Sequence, residues 1–234
     1  MASLLSAAAF PQSALFRLER VDVVGFAALT PEAVIALAGI ERGQRLFAVR
    51  AANAIRRLQT HPRIKTADVR VRPPNTVAIL ITERRPVIAL VLGDQYALLD
   101  DELVAVAVTR GAEGLPEVED RTGRVITVGR AGTRVSSEGA RIALAALGAA
   151  PPPVRREIAR IRVAAGPDLT IVMWRGLEIR AGGVWGLADR LAQLQGLLGA
   201  LAARGISPAV IDLRYAGSVV VMPALEEVTA GDGR

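Results

Sequence analysis

The chain contains no cysteine, one histidine (His61) and one lysine (Lys65). Without cysteine there are no disulfide frameworks and no thiol nucleophiles, and a lone imidazole removes most transition-metal sites as well. Aromatic residues are scarce, at 3% of the chain, which argues against nucleic acid as a partner because single-strand binding relies on aromatic stacking platforms. The balance of 29 basic against 23 acidic residues, net +6, would by itself invite a polyanion. The arginines are scattered, however, and often adjoin glutamates, so they describe a solvated surface and not a binding stripe. Long apolar runs are also missing. Residues 1–9 are small and apolar, but Pro11 and Gln12 end the run well short of the ~20 residues a spanning helix needs. The run also lacks the basic start of a secretory signal. Residues 1–15 therefore read as an N-terminal leader or as the remnant of a membrane anchor.

What is present is globular. Hydrophobic content of 51% and charged content of 22% over 234 residues suit two modest domains, each with its own core. Residues 16–86 read as one compact unit in the order strand, helix, helix, strand, strand. Alternation from Phe16 to Gly25 lines one face of a strand with apolar side chains. Thr30-Pro31-Glu32 opens a helix, with Thr30 as cap and Pro31 where a missing N–H costs nothing, and Gly39 stops it. A second helix follows Leu46-Phe47, buries Ile55 and Leu58 and ends before Pro62; His61 reads there as a helix-end cap or surface contact. Strands from Ala67 to Arg72 and from Thr76 to Glu83 are joined by the turn Pro73-Pro74-Asn75.

Residues 87–223 read as a larger mixed or antiparallel β domain with packed helices, and residues 224–234 as a disordered tail. Short apolar runs at Val87–Leu92, Gln95–Leu99 and Leu103–Val106 suggest a meander, and Leu115-Pro116 with Gly123 marks a loop region. A helix from Ser136 to Leu147 is capped by Ser136 or Ser137, with Glu138 in its first turn. Pro151-Pro152-Pro153 predicts extended backbone. Three strands follow, Ile158–Ala164, Leu169–Trp174 and Leu177–Ala181, then a helix striped by Leu187, Leu191, Leu194, Leu198 and Leu201. The chain closes with strands from Ala209 to Tyr215 and from Ser218 to Met222. The class expected is α+β.

Nothing in this layout has the pattern of a catalytic centre. Gly182-Gly183-Val184-Trp185-Gly186 follows a strand and opens a helix, where phosphates bind, but its glycines have the wrong spacing and no Lys-Ser/Thr follows. Gly129 to Thr133 is weaker still. Asp100, Asp101 and Glu102 sit together at a turn, where adjacent carboxylates are ordinarily just solvated, and acid–base work needs two groups in unequal environments across a cleft. No cofactor is expected, and the chain reads as a binder and not an enzyme. Its most functional feature is Ser218-Val219-Val220-Val221-Met222, apolar on both faces. Two placements fit: a sheet edge open to a foreign strand, or a central strand beneath the leucine-striped helix.

At this point the residues resemble a family. Val21-Asp22-Val23-Val24-Gly25, Leu46-Phe47-Ala48-Val49, His61-Pro62-Arg63-Ile64 and Glu83-Arg84-Arg85-Pro86-Val87 are similar to the POTRA domain of the bacterial cell-division proteins FtsQ and DivIB. Ile211-Asp212-Leu213-Arg214-Tyr215 resembles the hallmark of that family's C-terminal β domain. The resemblance implies a non-catalytic, single-pass scaffold of the division complex in the inner membrane, with its bulk outside the cytoplasm and an N-terminal anchor that is missing or truncated in this sequence. It implies FtsB, and through it FtsL, as partners of the terminal strands, with FtsK or FtsW as partners of the POTRA domain. Carried over by position, Arg214 matches an arginine that pairs with an acidic residue of FtsB, and Tyr215 and Gly217 match residues at the edge of that interface. Together with Ser218, Val219, Val220 and Val221 they form the expected partner-binding set. The alternative is a POTRA-bearing outer-membrane assembly or secretion factor, which ordinarily needs further POTRA copies or a barrel.

Overall fold

The computed structural model describes residues 16–166, 168–215 and 217–223. The expected leader at residues 1–15 and tail at residues 224–234 lie outside the described residues. The chain divides into two compact units with the break between Arg85 and Pro86, where the sequence reading put it after Pro86.

The first unit holds β1 (Arg20–Val24), α1 (Pro31–Ala38), a short 3-10 turn (Leu46–Ala48), α2 (Ala51–Gln59), β2 (Ile64–Arg72) and β3 (Thr76–Glu83). The start of α1 follows from its residues: Thr30 Oγ1 accepts from the Ala33 N–H at 3.2 Å, and Pro31 occupies the first turn. Gly39 ends the helix at φ 66°, a left-handed conformation that costs glycine nothing. The three strands form a sheet of order β1-β3-β2, with β1 parallel and β2 antiparallel to β3. Val77, Ile79 and Ile81 alternate inward from β3 and meet Val34, Ala38, Ala54 and Leu58 from the helices. Each such leucine or isoleucine contributes about 1.5–3 kcal/mol by leaving water. Ile55, expected in this core, is only partly buried, and Ala54 takes the inner position.

The second unit is built on a nine-stranded sheet of order β12-β11-β10-β9-β8-β7-β4-β5-β6. Its strands are β4 (Ile88–Leu92), β5 (Gln95–Leu99), β6 (Ala105–Thr109), β7 (Glu117–Arg121), β8 (Ile158–Ala164), β9 (Leu169–Met173), β10 (Glu178–Gly182), β11 (Pro208–Asp212) and β12 (Val220–Pro223). Helices α3 (Glu138–Ala149), α4 (Pro152–Glu157) and α5 (Leu187–Ala203) complete it. Ala140, Ala143, Ala146 and Leu147 of α3, with Leu187, Leu191, Leu194 and Leu201 of α5, share one core with Leu90, Val118, Ile161, Ile171, Ile179 and Ile211 of the sheet. The leucine stripe thus lies on the sheet, although Leu198 is only partly buried.

Two sequence expectations for this unit are corrected. The stretch Glu117-Val118-Glu119-Asp120-Arg121, read as loop, is β7, parallel to both β4 and β8. Only Val118 faces the core, and the charged residues around it hid the strand. The Glu117 and Glu119 carboxylates are matched by Arg160 across the ladder, at 2.6 and 3.2 Å, whereas Asp120 turns to the Ser137 hydroxyl and the Gly139 N–H. The three prolines do not extend the chain together. Pro151 alone is extended, at ψ 147°, and Pro152 and Pro153 open α4, the place where a helix tolerates a missing N–H.

The α+β class expected from the sequence is the class observed, a small β-α-α-β-β unit followed by a large mixed sheet with packed helices.

Candidate functional site

The expected partner-binding residues occupy the β11–β12 ribbon, and the strands there are shorter than the sequence suggests. Of the set, only Val220 and Val221 lie in β12; Arg214, Tyr215, Gly217, Ser218 and Val219 belong to the connection before it. The cause is local. Asp212 is buried at 3% exposure, and its carboxylate receives the Arg214 backbone N–H at 3.1 Å, Arg214 Nε at 3.0 Å and Arg214 Nη2 at 2.7 Å. These contacts turn the chain out of the ladder. The Leu213 N–H still reaches Arg180 O at 2.9 Å, and the Ser218 N–H closes on Tyr215 O at 3.2 Å. Hydrogen bonds from Arg214 hold the Asp212 carboxyl below the usual carboxylate range, against the opposing effect of burial. The Arg214 guanidinium also lies 5.8 Å from the centre of the Tyr215 ring, within cation–π range. The arginine expected to meet a partner's acid is therefore engaged with a carboxylate of its own chain.

Strand β12 is the last strand of the nine-stranded sheet and pairs antiparallel with β11 alone among the described residues. Its two faces differ. Val221 stands opposite Ile211 and packs on the core, whereas Val220 and Met222 stand opposite Asp212 and Val210 and are each 42% exposed. Tyr215 and Val219 are exposed as well. The placement beneath the leucine helix, left open by the sequence, is thus not the one adopted. The ends of the three-stranded sheet differ in chemistry. Strand β1 carries Arg20 and Asp22, and β2 carries Lys65, Asp68, Arg70 and Arg72, charges of the kind that blunt an edge. Strand β6, at the other end of the nine-stranded sheet, is also uncharged, with Ala105 and Val106 buried and Val108 exposed.

The glycine-rich turn holds no anion cradle. Arg190 on α5 donates to Ala181 O at 3.1 Å, to Trp185 O at 2.7 Å and to Gly183 O. The loop therefore offers carbonyls to a cation of its own chain, where a phosphate site would offer N–H groups. It leaves Trp185 91% exposed, a feature missed by treating the stretch as a glycine motif. Asp100, expected in solvent, is buried and accepts the Glu102 and Val104 N–H groups at 2.9 and 2.8 Å, fixing the β5–β6 turn. His61 Nδ1 accepts from the Arg63 N–H at 3.3 Å, a structural role at the end of α2. Gly129 to Thr133 lies in a loop with no helix directly after it. Asp212 and Met222 were also missed as site residues. The Asp-Leu-Arg spacing, which sets both charges on one side of an extended chain, was the available signal for the first.

Among the described residues no group of acidic or histidine side chains is arranged to hold a metal, and no helix is long and apolar enough to cross a membrane.

The described residues thus form a small βααββ unit followed by a large mixed sheet with packed helices. The family described as POTRA domain, FtsQ-type, matches residues 16–84. The cell division protein FtsQ of Streptomyces bingchenggensis is 32% identical over 181 residues, 76% of this chain and 65% of that protein. FtsQ of Myxococcus fulvus is 30% identical over 204 residues, covering 85% of this chain and 69% of the relative. FtsQ of Streptomyces coelicolor is 29% identical over 212 residues, covering 89% and 77%. The chain belongs to the FtsQ family of cell-division proteins. It spans 65% of the length of the Streptomyces bingchenggensis relative.

Proposed function

We propose that this chain is a non-catalytic, extracytoplasmic scaffold of the division complex, tied to the inner membrane through an N-terminal anchor, whose β12 edge accepts a strand of FtsB and through it gathers FtsL. The observation that carries the reading is the outer side of β12. A terminal strand with no charge and with Val220 and Met222 exposed is a template for another chain, and soluble proteins rarely leave one bare. Partner-binding residues are then Arg214, Tyr215, Gly217, Ser218, Val219, Val220 and Val221. The first domain is the meeting point for FtsK or FtsW. Val24 and Leu80, register partners on β1 and β3, are 59% and 53% exposed and support an apolar contact there.

The test is co-purification of the FtsB extracytoplasmic segment with the full chain. Val220→Pro removes the N–H that β12 turns toward Asp212 in the β11–β12 ladder, unseats the edge strand and should abolish capture, while Val108→Pro on the opposite edge strand β6 should not. Equal capture by both variants, with an unchanged circular dichroism spectrum, would exclude β12 as the docking edge.

A further inference from the structure

Arginines that are scattered along the sequence gather at one end of the first unit, beside an aromatic pair. Residues 16–18 run alongside residues 43–47 there. Arg17 and Arg45 face each other in an isolated antiparallel bridge, the Leu18 N–H donates to Gln44 O at 2.9 Å, and the Gly43 N–H donates to Leu18 O at 2.7 Å. The Arg17 guanidinium is drawn onto this turn by Gly43 O at 3.0 Å. In the short turn Leu46–Ala48 the two large residues part. Leu46 is fully buried, whereas Phe47 is 53% exposed, with its ring centre 5.3 Å from that of Phe16. Arg17, Arg42, Arg45 and Arg50 are all exposed, and Arg50 stands at the start of α2. No acid lies between Arg42 and Arg50; Glu41 just precedes them, and the Glu19 carboxylate accepts from Asn75 Nδ2 at 2.6 Å. Among the described residues Arg42, Arg45 and Arg50 have no carboxylate partner. The large sheet differs, since Arg160 and Arg162 there are met by glutamates.

An exposed phenylalanine among unpaired cations has a definite chemistry. A phenyl ring gains by leaving water for the acyl boundary of a bilayer, while arginines reach headgroup phosphates on flexible apolar stems. Anionic lipid attracts each basic residue near its surface, and the attraction fades within about 8 Å at physiological salt. A protein partner would need acids fixed opposite each of four cations, whereas a fluid headgroup layer supplies phosphates at any spacing. We propose that Phe47, with Phe16 beside it and Arg17, Arg42, Arg45 and Arg50 about it, seats the first domain on an anionic phospholipid surface. The patch lies where the chain enters the domain ahead of β1, and Val24, exposed at the far end of that strand, is left to a protein contact. This inference is independent of strand docking at β12. It rests on the anchor reading only for which membrane the patch meets.

The experiment is flotation of the full chain with vesicles of phosphatidylcholine, alone or with about 30% phosphatidylglycerol, in sodium chloride at about 50 and about 500 mM. At low salt, partition onto the anionic vesicles should exceed that onto the neutral ones by about tenfold or more, and high salt should remove most of the difference. Arg42→Gln/Arg45→Gln/Arg50→Gln should cut anionic binding by about tenfold or more, and Phe47→Ser by about threefold or more. Arg110→Gln/Arg175→Gln/Arg204→Gln removes the same charge from exposed positions of the second domain and should stay within about twofold of the unaltered chain. Equal losses in the two triple variants would mean attraction by overall charge, and the seat would be wrong. Uptake equal on both lipids and unchanged by every variant would place the contact in residues 1–15, sinking this proposal while the anchor reading stands. Absence of flotation with anionic vesicles at low salt would also refute it and leave the patch to a protein partner. Far-UV circular dichroism checks that each variant is folded; should one not be, the lipid and salt series on the unaltered chain still decides.

Discussion

The carboxylate of Asp120 occupies the space that a side chain on Gly139 would need: a Cβ there would stand 2.5 Å from Asp120 Cγ. Asp120, at the end of β7, accepts the Gly139 N–H at 2.9 Å and the Ser137 hydroxyl at 2.7 Å, and Ser137 in turn caps α3. The residue that ties the hidden central strand to its covering helix therefore works only because glycine follows the cap by two positions. Gly139→Ala should push helix and strand apart and cost about 2–3 kcal/mol. Both tryptophans lie in the second domain, so fluorescence-detected urea unfolding reports that domain directly. An unchanged midpoint would mean that the contact yields easily.

Glu83 plays the corresponding part in the first domain. Its carboxylate accepts the N–H groups of Ala27, Ala28 and Leu29 at 2.7, 3.0 and 3.0 Å, holding the β1–α1 loop to the end of β3. Burial pushes this carboxyl up, but the three backbone donors and Arg63 outweigh it and leave the folded pKa below the ordinary 4.5. A depressed folded pKa contributes stability that is fully present above pH 4.5 and is lost as pH falls through the lower folded value. Hydrogen exchange of the β1–α1 loop should therefore accelerate as the pH drops below that range, after correction for the intrinsic rate. Glu83→Gln should cost about 1–3 kcal/mol at neutral pH and abolish the acid-dependent step. A loop whose protection follows the same pH curve in both proteins would count against Glu83 as its anchor.

Arg190 should control the Trp185 loop. Replacing it with alanine removes the donors to Ala181, Gly183 and Trp185 and leaves α5 otherwise intact, at a cost of about 1–2 kcal/mol. In a Trp174→Phe background, where Trp185 is the only tryptophan, the fast component of its anisotropy decay should grow. No change in that component would show that the loop is held by its glycine geometry alone.

The apolar edge should also show in the protein without a partner. A lysine in place of Val220 introduces the kind of charge that natural edges use against pairing. Val220→Lys should raise the concentration at which the chain self-associates in light scattering, by about threefold or more, with less than about 0.5 kcal/mol change in stability, since Val220 is half-exposed. Identical scattering curves would mean that association runs through another surface.

Much of this architecture was legible in the chain itself. Thr30, Pro31 and Gly39 bound the first helix, Ser137 and Glu138 start the third, and the leucines from Leu187 onward mark the longest, because caps and periodicity are local properties. The valine run at the end was visible too, but whether it lay inside a sheet or at its rim was not. Strand order depends on contacts between residues far apart in sequence. The same holds for β7, whose glutamates look like loop until Arg160 and Arg162, beyond a loop and the two helices α3 and α4, stand beside them. The sequence alone determined which segments are strands and helices with an apolar side, and which motifs resemble the cell-division family. Only the tertiary structure decided that Asp212 takes the charge of Arg214 and that β12 ends the sheet, because both outcomes follow from which neighbours the fold brings within a few ångströms, and no local pattern encodes that.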